Sequence, residues 1–363
     1  MIKRALVMAV PLLSLASAAQ AQNSMTLYGS LDAGVGYISN LHGSQSLIAE
    51  QGTTQADRWG IKGVEDLGGG IKTVFGLEAG FSTISGAMSS AGVLFNRQSY
   101  VGLSDSAVGT LTLGRQTDWN FDMLGQVSTG QVLGDFSAFH PGNIDGLGNT
   151  VPVELSSTIK FKSRSFSGLS FGALYGFSDA ASSSTGGRSA SFGANYEQGP
   201  LRLVAVYSAY RDRTLNLASG LGLTSFEGEN LAGGAPFIAD RVTDAGVGGA
   251  YTWGRCQFHA LASQVQITRD GQTHDYRTID GGVNFRLTTA EEIDAGAWTT
   301  TLAGQRWSQL TVANVYYLSK LTQLYADVMF EKASSGAVAD TIGIGASSGS
   351  KQAVVLTGIH HLF

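Results

Sequence analysis

From Ser24 onward, apolar and polar side chains alternate with a period of two. Met25, Leu27, Leu31, Ala33, Val35 and Tyr37 share one parity while Thr26, Ser30 and Asp32 hold the other, the pattern of a strand with one apolar face. The alternation returns in Ile71, Thr73, Phe75, Leu77, Ala79 and Phe81 against Lys72, Gly76 and Glu78. It returns again in Leu169, Phe171, Ala173, Tyr175 and Phe177, and in Ile279, Val283, Phe285 and Leu287. Segments of this kind predict sixteen strands, at 24–38, 57–66, 70–83, 92–104, 108–115, 156–163, 168–178, 189–198, 200–211, 243–253, 255–268, 274–287, 291–302, 307–318, 322–333 and 351–363. Their length suits a tilted membrane crossing, and a sheet in lipid must close on itself to pair every backbone group. The expected fold is therefore all-β: a transmembrane antiparallel barrel with apolar residues outside and polar residues inside.

The connections support that architecture. Asp66 to Gly70, Ser104 to Val108, Glu197 to Pro200, Trp253 to Arg255 and Ser319 to Leu321 are tight, whereas 116–155 and 212–242 are long. Short turns on one rim and long loops on the other are the habit of outer-membrane barrels. Tyr28, Tyr37, Trp59, Tyr100, Tyr251, Trp253, Tyr316, Tyr317, Tyr325 and Phe363 fall within or near strand ends, where interfacial girdles would hold them. A soluble β-sandwich or barrel is the competing reading, but so many small residues at inward positions would leave its core underfilled.

Composition narrows the choice further. Glycine supplies 49 of 363 residues and proline five, against average shares of about 7% and about 5%, so turns are plentiful and missing amide donors few. Charged residues make up 14%, well under the usual figure of about 25%. Beyond the first residues no apolar run approaches the roughly 20 needed for a membrane helix. The opening MIKRALVMAVPLLSLASAAQAQ carries Lys3 and Arg4, an apolar stretch and Ala19-Gln20-Ala21, which reads as a signal peptide over 1–21 removed before Gln22. Residues 22–363 then form a single domain. Loss of Lys3 and Arg4 takes the formal charge from -5 to -7, so nucleic acid is not an expected partner. Cys256 is the sole cysteine, which excludes an internal disulfide and a cysteine-based zinc site.

Parity also places the charges. In Arg58-Trp59-Gly60-Ile61-Lys62, Trp59 and Ile61 take the lipid side, so Arg58 and Lys62 point inward; a basic residue at the bilayer midplane costs about 2–4 kcal/mol. Glu78, bracketed by Leu77 and Ala79, points inward by the same rule, and Lys160 and Lys162 alternate with Ile159 and Phe161. For Arg97 parity is ambiguous, since Phe95 and Val101 share it. Gly345-Ala346-Ser347-Ser348-Gly349 fits the G-x-S-x-G form of a nucleophile elbow, but that elbow needs a strand before it and a helix after it. Here a strand follows. The histidines show no metal spacing, and adjacent His360 and His361 face opposite ways on a strand. No metal and no cofactor are expected, and the chain does not read as an enzyme.

MTLYGSLDAGVGY, RWGIKGVEDLGGGIKTVFGLEAGF, FNRQSYVGLSDSAVGTLTLGRQTD and the terminal GIHHLF resemble the general porins of Gram-negative outer membranes. The likeness is dense over 25–120, sparser over 156–200, and returns in the last fifty residues. It implies a sixteen-stranded homotrimeric barrel in the cell outer membrane that passes ions and small hydrophilic solutes. It further implies contact with outer-membrane lipid and lipopolysaccharide, delivery by the barrel assembly machinery, and the terminal Phe363 as assembly signal. A third loop folded into the lumen corresponds to 116–155, with Asp118, Asp122, Asp135 and Asp145. Arg58 and Arg97 match the family's basic wall, backed by Lys62 and Lys160, facing Glu78 and the loop acids Asp118, Asp122 and Asp135 across the constriction. That charge balance implies a weak anion preference. One departure is that Glu154 precedes SSTIKF where relatives carry an arginine before a pattern such as NSVKY. Two rival functions are a substrate-specific channel, with an aromatic track assembled from Tyr207, Tyr210 and Trp298, and an outer-membrane barrel enzyme such as a phospholipase.

Overall fold

A computed structural model describes residues 23–148, 153–178, 187–334 and 336–363. The expected signal peptide, 1–21, lies outside them. Sixteen antiparallel strands close into a barrel. They are β1 (Ser24–Leu41), β2 in two segments (Ser44–Gln51 and Arg58–Gly68), β3 (Ile71–Gly80), β4 (Gln98–Asp105), β5 (Gly109–Thr117), β6 (Glu154–Ser163), β7 (Leu169–Gly176) and β8 (Ser189–Gln198). The second half comprises β9 (Leu201–Leu215), β10 (Phe237–Trp253), β11 (Cys256–Arg269), β12 (Gln272–Arg286), β13 (Glu291–Leu302), β14 (Gln305–Tyr317), β15 (Thr322–Ala333) and β16 (Lys351–Leu362). Each strand pairs with its sequence neighbours, and β1 closes on β16 from Ser30↔Leu362 to Ile38↔Val354.

The alternation has the expected physical meaning. Leu27, Val35, Val247 and Ile279 stand exposed on the outer face while Ser30, Asp32, Ser208 and Asp280 are buried inside. An apolar band this extensive has lipid as its solvent. Tyr28 and Tyr325 depart from the girdle reading, because their hydroxyls turn inward to Glu78 and Asp32.

One element escaped the pattern. Ser44–Gln51 extends the first hairpin and pairs with the outer half of β1, Tyr37 opposite Leu47 and Ala33 opposite Gln51, while Arg58–Gly68 pairs with the inner half. Between these segments the chain dips into the lumen over 52–57, starting at Gly52 with φ +67°. Asp57 holds the dip by accepting the amides of Asp32 and Thr83, and the Asp32 carboxylate accepts that of Thr54 at 2.6 Å. β4 starts at Gln98 rather than 92, and β10 starts at Phe237 rather than 243.

The interior is not uniformly polar. Leu174, Val204, Val206, Leu261 and Val265 face inward yet are buried, because the long segment after β5 folds against that wall. Its short helix α1 (Thr129–Leu133) lies on β12 and β13, and the turn at Asn120–Leu124 lies on β8 to β10. A second helix, α2 (Leu217–Leu221), brings Leu217 and Leu221 onto Phe237, Trp298 and Trp307 in the outer mouth. Open space is thereby left along β1 to β6.

Candidate functional site

The water-facing wall is built by three neighbouring elements whose inward positions carry charge. β2 supplies Arg58, β3 supplies Glu78, and Arg97 precedes β4. Arg97 Nε donates to Glu78 Oε1 at 2.7 Å, Arg58 Nε lies 3.5 Å from Oε2, and the Tyr28 hydroxyl donates to Oε2 at 2.9 Å. Arg58 is further steered by the inward dip, donating to Gln55 Oε1 at 2.7 Å and to the Ala56 carbonyl at 3.2 Å. Expectation and geometry differ here. Glu78 does not face the arginines across a gap; it sits between them on one wall, because Arg58 is its diagonal neighbour on β2 and Arg97 adjoins Gln98, its partner on β4, and diagonal neighbours about 7–8 Å apart are within reach of long side chains.

Across a gap of about 210 Å³ the third loop presents Phe121, Gln126, Gln131, Phe136 and Phe139. None is acidic. The loop acids instead hold the loop. Asp118 is 1% exposed and accepts from the Tyr210 hydroxyl and the Phe121 amide. Burial pushes its carboxyl up from the ordinary value, opposed by the Tyr210 hydrogen bond. Asp122 accepts from Thr117 Oγ1 at 2.7 Å and pairs with Lys160. Asp135 is fully buried and caps Ser137 N at 2.8 Å; burial, with repulsion from Asp32 and Glu50, pushes it up to about 7 against the pull of the Ser137 amide. Lys160 also donates to the Thr117 carbonyl at 2.8 Å and covers the Trp119 ring, so it pins the root of the loop. Lys62 lies over the Tyr28 ring, on the short-turn side of Arg58.

Two further cavities continue the gap. One of about 350 Å³ shares Arg97 with it and includes Asn96 and Glu154. The other, of about 330 Å³, shares Gln98 and includes Lys160 and Lys162 towards the short turns. The three form a series along β1 to β6. Glu154 thus borders the same water as Arg97, with no ion pair to it and with Oε2 unpartnered.

A network invisible to motif reading docks the loop on the far wall. Asp280 of β12 accepts Thr129 N at 2.9 Å and Oγ1 at 2.5 Å, and His140 Nε2 lies 2.8 Å from its Oδ2. His140 Nδ1 meets Asp145 Oδ2 at 2.6 Å, and Ser263 donates to the same oxygen. Burial draws the imidazole down, but Asp145 and Asp280 outweigh it and raise it to about 10. Asp244 takes Asn120, and Trp298 Nε1 donates to the Ala138 carbonyl at 3.0 Å. Each wall acid sits at an inward parity position, which is the signal that could have found it.

The family model for Gram-negative porins matches residues 5–336. The chain belongs to that family. An outer membrane porin protein of Bordetella pertussis is 32% identical over 234 residues, spanning 56% of this chain and 59% of the relative. Outer membrane porin protein 32 of Delftia acidovorans is 28% identical over 386 aligned positions, spanning 98% of each. Among solved structures, the anion-selective porin from Comamonas acidovorans superposes with a TM-score of 0.78 at 23% identity, covering 94% of this chain and all of that one. OmpT of Vibrio cholerae in its trimer form gives 0.69 at 15%, covering 94% and 99%. At these identities the structures share the fold.

This porin is thus an outer-membrane channel. The aromatic track is not assembled: Tyr207 faces outward, Tyr210 is buried on Asp118, and Trp298 is buried under the loop. The G-x-S-x-G segment lies in an outer loop, where Gly345–Ala346 pairs with Asp340–Thr341 and β16 follows. Among the described residues no group of three or more His, Cys, Asp or Glu side chains is arranged to hold a metal ion.

Proposed function

We propose that this porin passes small hydrophilic solutes and ions passively, with a weak preference for anions set at Arg58, Glu78 and Arg97. Two guanidiniums against one carboxylate leave the wall net positive, and the loop opposite is neutral. That asymmetry is the observation carrying the reading. A unit charge at 4 Å from a passing ion is worth about 1 kcal/mol in bulk water and about 4 at an effective dielectric near 20, so one surplus charge biases traffic without excluding cations. The gap is narrower than the Debye length of about 10 Å at 0.1 M salt, so local wall charge outweighs the acidic whole. Glu154 tempers the preference from the outer side.

By analogy with the trimer form of the Vibrio protein, three copies assemble, delivered by the barrel assembly machinery into a membrane that contains lipopolysaccharide. Reversal potentials in a salt gradient test the reading. Arg58→Gln with Arg97→Gln should move selectivity toward cations and Glu154→Arg toward anions; an unmoved potential in the double variant removes these residues from the constriction.

A further inference from the structure

On the long-loop side of the constriction, the cavity of about 350 Å³ holds two opposite charges that do not meet. Arg97 and Glu154 both line it, yet no guanidinium nitrogen comes within 4.0 Å of the Glu154 carboxylate. Arg97 is held from behind, its Nε donating to Glu78 Oε1 at 2.7 Å, which leaves Nη1 and Nη2 without a hydrogen bond among the described residues. Glu154 is 6% exposed, and its Oε2 has no partner among them either. A buried carboxylate oxygen in that state costs free energy until a donor or a cation reaches it.

Most other polar groups of the cavity are already spent. Asp57 accepts the amides of Asp32 and Thr83, and Asn96 accepts that of Gly80 while donating to the hydroxyls of Ser89 and Ser90. The Gln51 side-chain oxygen accepts from the Ser82 hydroxyl and the Ile84 amide. What remains for a solute is the outer edge of one guanidinium, one orphaned carboxylate and the rings of Phe81 and Phe136. Arg97 and Phe136 also border the constriction gap, so a solute moving inward from this cavity keeps both contacts.

We infer that this cavity binds zwitterionic α-amino acids with an aromatic side chain, the ammonium donating to Glu154, the carboxylate accepting from Nη1 and Nη2 of Arg97, and the ring lying against Phe81 and Phe136. This rests on the channel reading and deepens it by naming a solute class. A simple anion would pair with Arg97 but be repelled by Glu154, and a simple cation would meet the reverse. An α-amino acid carries both charges on one carbon, so it joins two groups that share a small cavity and stand too far apart to pair directly. Charge-assisted hydrogen bonds are roughly twice as strong as neutral ones, and contact between aromatic rings adds to them. The volume lies at the lower end of the range for small-molecule sites, about 300–1,000 Å³, which favours a single amino acid over a longer peptide.

The probe is L-phenylalanine, added to the full-length porin in a planar bilayer and read as interruptions of the ionic current. Phenylpropionate and phenylethylammonium serve as analogues that each lack one charge. The Kd from the interruptions should be lower for L-phenylalanine than for either analogue by about tenfold or more, the weight of one charged hydrogen bond. Glu154→Gln should raise the Kd for L-phenylalanine by about the same factor and leave phenylpropionate bound as tightly or more so. Phe81→Ala should raise it about threefold to tenfold, the weight of an aromatic pair, while conductance and heat-modifiability stay at wild type. Conductance and reversal potential without solute report on the channel reading separately. A porin that conducts with no interruption by L-phenylalanine, equal affinity for phenylpropionate, or an unchanged Kd in Glu154→Gln overturns the inference.

Discussion

At the residue scale the charged wall turns on a shared carboxylate. Glu78 neutralises part of two arginines and also receives the Tyr28 hydroxyl, so it sets both the charge and the posture of the wall. Glu78→Gln removes the only anion of that cluster and leaves both guanidiniums in place. Reversal potentials should then move toward anions, and the urea midpoint should fall with a loss of about 1–3 kcal/mol, the usual cost of a lost charged hydrogen-bond partner. The opposite change belongs on the loop. Gln131 faces the same gap, and Gln131→Glu should shift selectivity toward cations with little effect on the midpoint. A pair of variants that moves selectivity in the same direction would show that these side chains do not share one field.

At the scale of the element, the third loop is a strap rather than a flap, because its polar groups are spent on the far wall. His140 is the titrating member of that attachment outside the strands. Its pKa is raised above the ordinary value of 6.5 to about 10, so the stabilisation it brings is full below about pH 6.5 and is lost as pH rises through 10. Asp135, whose carboxyl is pushed up from 3.8 to about 7, adds a cost of ionising in the docked loop that grows between those values. That cost is complete near neutral pH, so the further loosening in alkali comes from His140. Hydrogen exchange of amides in 128–147, corrected for intrinsic rate, should be faster at pH 9.5 than at pH 6, and His140→Gln should flatten that difference. Asp280→Asn, which removes one of the two carboxylates on His140 and leaves Asp145 paired with it, should weaken docking at neutral pH by about 1–3 kcal/mol. Protection that is equal at both pH values would show that the strap does not depend on this pair. The strands were legible because a face in lipid and a face in water impose a period of two on every crossing; Arg58, Lys62 and Glu78 were placed by that rule alone. Ser44–Gln51 was not, since above the lipid band that demand lapses. The loop acids were not either, because a loop has no parity. Asp118 is decided by Tyr210, 92 residues away, and Thr129 by Asp280, 151 away.

At the scale of the whole molecule the question is how the two ends of the sheet find each other. β1 and β16 make the closure, and just beyond it Gly29 N donates to the Phe363 carbonyl at 3.0 Å while Phe363 N donates to the Gly29 carbonyl at 3.2 Å. The Phe363 ring occupies the space where any larger residue at 29 would put its Cβ: a carbon there would stand 2.2 Å from the ring and 2.7 Å from the Arg58 carbonyl. Two backbone hydrogen bonds at a rim contribute only about 1–3 kcal/mol together, a small part of what sixteen paired strands hold. If Phe363 acts mainly through those bonds, its removal should lower stability and cellular yield in proportion. If it is read during assembly, the two should separate. The separated outcome is the expected one: deletion of Phe363 should sharply reduce heat-modifiable trimer in the outer membrane, far more than deletion of one loop residue, while the same protein refolded from urea in detergent keeps a midpoint close to wild type. Gly29→Val should fail both assays, because it blocks the seam itself. Equal membrane yields for the Phe363 deletion and the loop deletion would show that closure needs no signal beyond the pairing of the strands.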